Sequence, residues 1–160
     1  MNLRLAEIID IEQLIKMRWD FTLEDYETGR IKESEYNDFY SECRDFLLNA
    51  MKSKQWYIWI AEIEGTIVSH IYIELIQKVP RPGRVTKPFA FMTNVYTLKD
   101  YRGKGIGGKL ISQVNKWVGE MKFEFVIVWP SEQGVNFYKR NGYNQCIEAM
   151  EYFPNLDNLI

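Results

Sequence analysis

Apolar residues recur along the chain with two periods, one of two and one of three to four, and the switches between them divide its 160 residues into elements. Leu3 and Leu5 alternate with Asn2, Arg4 and Ala6, which predicts a short first strand. Asp10, followed three residues later by Gln13, predicts a helix start with a partner reaching back; Ile11, Leu14, Ile15 and Arg18 continue at helical spacing up to Thr28-Gly29. A second helix is expected from Glu33 or Ser34, with an apolar stripe running from Tyr36 and Phe39 to Leu47, Ala50 and Met51. Trp56 to Ile63 and Thr66 to Ile76 read as strands, joined by Glu64-Gly65 as a tight hairpin. Alternation in the second of these puts Val68, His70, Tyr72, Glu74 and Ile76 on one face. His70, Tyr72 and Glu74 therefore either share a cleft or pack together on a satisfied sheet surface.

Lys78 to Pro88, with Pro80, Pro82 and Gly83 among basic residues, predicts an exposed loop. Phe89 to Leu98 has no helical period and suits a buried strand. Ile106, Leu110, Ile111, Val114, Trp117, Val118 and Met121 form one face of an amphipathic helix. A further strand is expected at Phe125 to Trp129; Pro130 then breaks the chain and Ser131 caps a helix from Glu132 to Arg140, stopped by Asn141-Gly142. Cys146 to Phe153 reads as a last strand, and Pro154 to Ile160 carries no pattern.

Length and composition narrow the class. The chain is long enough for one domain with a substantial core and too short for two ordinary ones, so residues 1–160 are expected to form a single domain. A formal charge of −2 from 20 basic and 22 acidic residues asks for no nucleic-acid partner. Cys43 and Cys146 lie far apart among apolar residues and read as packed thiols. A single histidine leaves a catalytic metal site without ligands. The N-terminus has acid early and no long apolar run, and the apolar stretches elsewhere are strand-sized, so a soluble cytoplasmic protein without a membrane segment is expected.

Chemistry concentrates between the buried strand and the amphipathic helix, at Arg102-Gly103-Lys104-Gly105-Ile106-Gly107-Gly108-Lys109. Glycines let several backbone N–H groups converge on one anion, and the following helix aims its free amides and positive dipole end at the same place. A pyrophosphate is the expected guest. As a nucleotide-triphosphatase loop the stretch fails at Leu110, where the magnesium ligand Ser or Thr belongs. As a dinucleotide fingerprint it needs Glu124 on a ribose, but Glu124 stands at the start of the next strand, not its end.

A third pattern, Arg-x-x-Gly-x-Gly, is met in full by Arg102, Gly105 and Gly107. The run from Ser131 through Phe137-Tyr138-Lys139-Arg140-Asn141-Gly142-Tyr143 adds a second signature, Phe/Leu-Tyr-x-x-x-Gly-Phe with Tyr143 in the last place. Together, over roughly residues 88 to 145, they make the chain resemble the GCN5-related N-acetyltransferase (GNAT) superfamily. The resemblance implies an α/β (α+β) fold whose mixed, mostly antiparallel sheet is flanked by helices and splayed between strands 4 and 5. It implies that acetyl-coenzyme A binds along the splay, with its pyrophosphate on the loop from Arg102 to Lys109. It further implies a bulge at Asn94, Val95 and Tyr96 that frees amides for the thioester carbonyl. Ser131 stands where many members have Asn, and with Gly134 it completes a Ser-x-x-Gly variant at the coenzyme.

The implied reaction is direct transfer of the acetyl group to a primary amine. Tyr138 is then the general acid for the leaving thiolate. An amine of pKa ~10.4 needs a base or water chain to become nucleophilic, and Glu74 is the nominee. Glu24, Asp25, Glu27, Glu33, Glu35 and Asp38 make an acidic segment where the family often walls the acceptor site, which points to a small cationic acceptor. A protein N-terminus or lysine as acceptor, or a coenzyme A-binding module without turnover, are the competing readings. The protein is expected to act as a monomer or homodimer.

Overall fold

The structure, a computed structural model, describes residues 1–25 and 31–154. The predicted end of the first helix at Thr28-Gly29 lies outside the described residues. The chain divides into two compact units, residues 1–129 and 130–160.

The first unit holds a sheet of five strands in the order β1-β2-β3-β4-β5 among the described residues: β1 (Asn2–Leu5), β2 (Trp56–Ile63), β3 (Thr66–Ile76), β4 (Phe89–Thr97) and β5 (Val126–Val128). The first four pair antiparallel and β5 joins β4 in parallel. Among the described residues three α-helices belong to this unit: α1 (Ile11–Asp25), α2 (Tyr36–Lys52) and α3 (Ile106–Glu120). Ile58, Ile60 and Tyr72 pack with Ile11, Leu14 and Ile15 of α1 and Leu47 of α2. The intervening residues point the other way, where Tyr57 and Trp59 meet Trp117 of α3 at ring distances of 4.8 and 5.8 Å. Strand alternation thus gives each face its own helical cover.

The β2–β3 hairpin turns at Glu64 (φ 50°) and Gly65 (φ 79°), the two positive angles of a primed turn. Gln13 clasps this turn: its Nε2 donates to the Gly65 carbonyl at 3.1 Å and its Oε1 accepts from Ile67 N at 2.9 Å. The expected capping pair at the start of α1 is therefore corrected. Asp10 sits buried in a 3-10 turn, accepts from Glu7 N at 2.7 Å and takes two hydrogen bonds from Arg4. Those Arg4 bonds, against the opposing effect of burial, hold the Asp10 carboxyl below its usual range.

Two irregularities of β4 shape the rest. Between the pairs His70↔Tyr96 and Tyr72↔Thr93, Ile71 of β3 faces both Asn94 and Val95 of β4, a two-for-one bulge. On its other edge β4 pairs with β5 at Ala90, Phe91 and Met92, and Thr93 to Thr97 have no strand partner there among the described residues. β5 is shorter than the Phe125 to Trp129 expected, and the sheet opens where it ends.

In the second unit, Ser131 Oγ accepts from Gly134 N at 3.2 Å, the predicted cap. The chain then makes a 3-10 turn (Glu132–Gly134) before α4 (Val135–Arg140), and Gly142 (φ 89°) ends the helix as its left-handed stop. The strand expected at Cys146 to Phe153 does not form. Ile147, Met150 and Tyr152 are 97%, 98% and 88% exposed, and without a neighbouring strand to pair with, β-forming side chains alone do not make a ladder. Cys146 shares that exposure, which corrects the packed-thiol reading; Cys43 is half-buried, and burial pushes its pKa up to about 11.

Candidate active site

The glycine loop is built as its sequence requires. A 3-10 turn at Lys99–Tyr101 leads to Gly103 and Gly105, with φ of 73° and 75°, and Gly105 is the N-cap of α3. Left-handed angles are accessible to glycine at little cost, and they turn successive N–H groups to one side ahead of the free amides of the helix. No acidic side chain occupies the first turn of α3. Lys109, with Gly105, Gly108 and Lys116, lines a cleft of about 500 Å³ on this helix. Charge, amides and dipole thus fit a diphosphate. Leu110 is fully buried, so the magnesium position of a triphosphatase loop faces the core. The Glu124 carboxylate is held by Lys78 and Arg84, which takes away the ribose contact of a dinucleotide site.

Arg102 is used differently from Lys109. Its Nε donates to the Thr97 carbonyl at 2.8 Å, its Nη2 to Glu24 Oε2 at 2.6 Å, and its guanidinium lies 5.3 Å from the centre of the Tyr96 ring. Tyr96 also donates its hydroxyl to Glu24 Oε1 at 2.7 Å. Burial pushes the Glu24 pKa up, but the bonds from Tyr96 and Arg102 and the charges of Arg102 and Lys99 outweigh it and keep the carboxyl below its usual range. Of the acidic segment expected at the acceptor site, Glu24 is thereby tied to the glycine loop. Glu35 caps Lys32 N at 2.8 Å, and Glu27 lies outside the described residues.

Glu24 also lines a cleft of about 380 Å³ with Asp20, Asp100, Lys99 and Tyr96. Asp20 and Asp100 were not singled out by sequence reasoning. Asp100 stands two residues before the glycine loop, a signal that was legible, whereas Asp20 reads as one polar position of α1.

At the bulge, Asn94 has φ 47° and its carbonyl meets His70 Nδ1 at 2.8 Å, while its side-chain Oδ1 accepts from Arg18 Nη1 at 3.3 Å. His70 is fully buried, with ring centres of Tyr72 and Tyr96 at 5.1 and 5.7 Å. Burial depresses its pKa to about 4, against the bond to Asn94. Such an imidazole is neutral at pH 7 and too weak a base for an ammonium of pKa ~10.4. His70 and Tyr72 share a face as predicted, but that face is packed. Glu74 stands at the far end of β3, accepts from Gln55 Nε2 at 2.9 Å and pairs opposite Phe91, three residues before Asn94. At ~3.3 Å per residue this is roughly 10 Å along the sheet.

In the second unit, Tyr138 is buried beside Phe137 and Tyr143, at ring distances of 5.2 and 5.7 Å, and burial pushes its phenol up to about 12. A Cβ on Gly134 would stand 3.5 Å from the Tyr138 ring and 3.3 Å from Ser131 Oγ, so the Ser-x-x-Gly pair fits closely against this tyrosine.

The profile of a family described as an acetyltransferase (GNAT) domain matches residues 54–145. The chain belongs to the GNAT family. A search of curated proteins finds no significant match to the sequence of this GNAT protein. Solved structures share its fold. A predicted acetyltransferase from Clostridium acetobutylicum, with acetyl-CoA, is 24% identical with a TM-score of 0.78 over 95% of each chain. A GCN5-related N-acetyltransferase from Ralstonia eutropha JMP134 is 22% identical, TM-score 0.75, over 96% of this chain and 99% of its own. An aminoglycoside acetyltransferase from an uncultured soil metagenomic sample, in complex with sisomicin, is 17% identical, TM-score 0.71, over 97% and 95%. As a GNAT protein the chain is an acyltransferase with acetyl-coenzyme A as cosubstrate. Among the described residues no helix is long and apolar enough to cross a membrane.

Proposed function

We propose that this GNAT protein transfers the acetyl group of acetyl-coenzyme A directly to a primary amine of a small cationic molecule. The observation that carries the acceptor class is the cleft holding Asp20, Glu24 and Asp100, which abuts Tyr96 next to the β4 bulge. Lys99 shares this lining, Lys16 offsets Asp20 and Arg102 offsets Glu24, so the draw on a cation rests chiefly on Asp100. The aminoglycoside ligand of one structural neighbour is of the same chemical class. The amides and lysines of the loop from Arg102 to Lys109 hold the coenzyme's diphosphate. The open edge of β4 accompanies its pantetheine, with Asn94, Val95 and Tyr96 presenting amide hydrogen to the thioester carbonyl. Glu74 receives the amine's proton only through water, given its place along the sheet.

Tyr138 donates the proton that the coenzyme A sulfur takes up as it leaves, with Ser131 and Gly134 holding that end of the coenzyme. Its raised pKa keeps the phenol protonated throughout the working range. In this proposal residues 1–160 work as one domain. An acetyl-coenzyme A consumption assay across polyamines, aminoglycosides, amino acids and peptides tests the acceptor class. Turnover should be highest with polycationic amines and fall with salt; preference for anionic or uncharged acceptors would reverse the reading. Tyr138→Phe should lower kcat by roughly 10- to 1000-fold at unchanged coenzyme affinity.

A further inference from the structure

His70 is the chain's single histidine and is fully buried. A carbonyl oxygen can only accept, so the contact with Asn94 puts the proton on Nδ1. Nε2 is then a bare acceptor, buried and without a hydrogen-bond partner among the described residues. Burying an unsatisfied nitrogen is unfavourable, and what the imidazole has in exchange is the single bond from Nδ1. That bond ends on the residue at the bulge. Asn94 is left out of the β3–β4 register with Val95 and adopts a left-handed conformation, which asparagine takes more readily than other non-glycine residues, so what the bond fixes is the direction of its carbonyl. Arg18 reaches the same residue from α1.

We propose that His70 is a positioning residue for acetyl transfer: its Nδ1–H holds the Asn94 carbonyl, and so keeps the amides of Val95 and Tyr96 turned towards the thioester carbonyl. This rests on the reading above that those amides receive the thioester. His70 itself touches neither acceptor nor reacting atoms.

The test compares wild type with His70→Phe, His70→Asn and His70→Gln. Asparagine can place an N–H where Nδ1 stood, glutamine places one near Nε2, and phenylalanine keeps the ring without a donor. In the free protein, amide nitrogen and proton resonances of Val95 and Tyr96 should move in the Phe and Gln variants and return towards wild type in the Asn variant. In turnover, the Phe variant should lose at least tenfold in kcat with acceptor KM and affinity for free coenzyme A within twofold of wild type, and the Asn variant should recover most of that loss. Unmoved resonances in the Phe variant, or equal losses in the Phe and Asn variants, would overturn the proposal. Absence of turnover by wild type with every amine would instead remove the primary-amine reading, while the resonance comparison still decides whether His70 holds the Asn94 carbonyl.

Discussion

The two faces of the central sheet are made by the same strands and serve opposite ends. Against α3 lie Trp59, Ile71, Ile73 and Leu75, and the helix answers with Leu110, Ile111, Val114 and Val118, all buried. Against α1 and α2 the same strands present Ile58, Ile60 and Tyr72 to an apolar core, and beside them His70, which bonds Asn94, and Tyr96, which bonds Glu24, with Arg18 on Asn94. A period of two lets one strand give a dry apolar surface to α3 and, towards α1 and α2, an apolar core with a polar cluster set into it. On the α3 face, stability should therefore be separable from activity.

The strongest break is expected on the dry face. Leu110→Ala removes a fully buried side chain from α3 and should cost about 2 to 5 kcal/mol of unfolding free energy in denaturant titrations. Below the unfolding transition, kcat should stay close to wild type. A large loss of kcat in the folded variant would show that the faces are coupled.

At the polar cluster of the other face, acid should be more telling than deletion. His70 titrates at about 4 when folded and near 6.5 when unfolded, so between these values the unfolded chain binds the extra proton. Its contribution is complete above about pH 6.5 and is lost as pH falls towards about 4, a total of ~3 kcal/mol. The titratable groups around it are Arg18 of α1, Cys43 of α2, Tyr72 of β3 and Tyr96 of β4. Arg18 is the charged one in this range and opposes protonation further. Because there is no other histidine, the loss between pH 6.5 and 5 should vanish in His70→Asn, as measured by urea midpoints; an identical slope in both proteins would contradict the assignment.

The smallest effect should come where the dry helix starts. A Cβ at Gly105 would meet no atom within 4 Å, but Gly105→Val imposes a φ of +75° on a β-branched residue. The loop should relax away from the anion, and coenzyme A affinity measured by calorimetry should fall at least tenfold, about 1.4 kcal/mol. Equal affinity in a folded variant would take the diphosphate off this loop.

What sequence made legible follows from the range of the interactions. Both hairpin strands, the primed turn, β4 and α3 have bounds within a residue of those expected, because periodicity and positive-φ glycine positions are local properties. The glycine loop was readable for the same reason. The His70–Asn94 and Arg18–Asn94 contacts join residues 24 and 76 apart, and no spacing rule anticipates them. Gln13 looked like a capping partner because the pattern around Asp10 is right, but its amide finds two backbone groups of the hairpin turn instead. The last predicted strand failed because strand patterns describe a surface in search of a partner, and none pairs with it among the described residues.

That clasp by Gln13 has a consequence for the order of folding. β2 and β3 are joined by two residues and can zip at once, whereas pairing Asn2 with Glu62 must close a loop spanning both α1 and α2. The hairpin should therefore be structured early, and Gln13 can engage Gly65 and Ile67 only after the turn exists and α1 has docked on it. Replacing Gln13 with Ala should chiefly quicken unfolding, while disrupting the turn at Gly65 should slow folding itself, a contrast that the two arms of a chevron plot resolve.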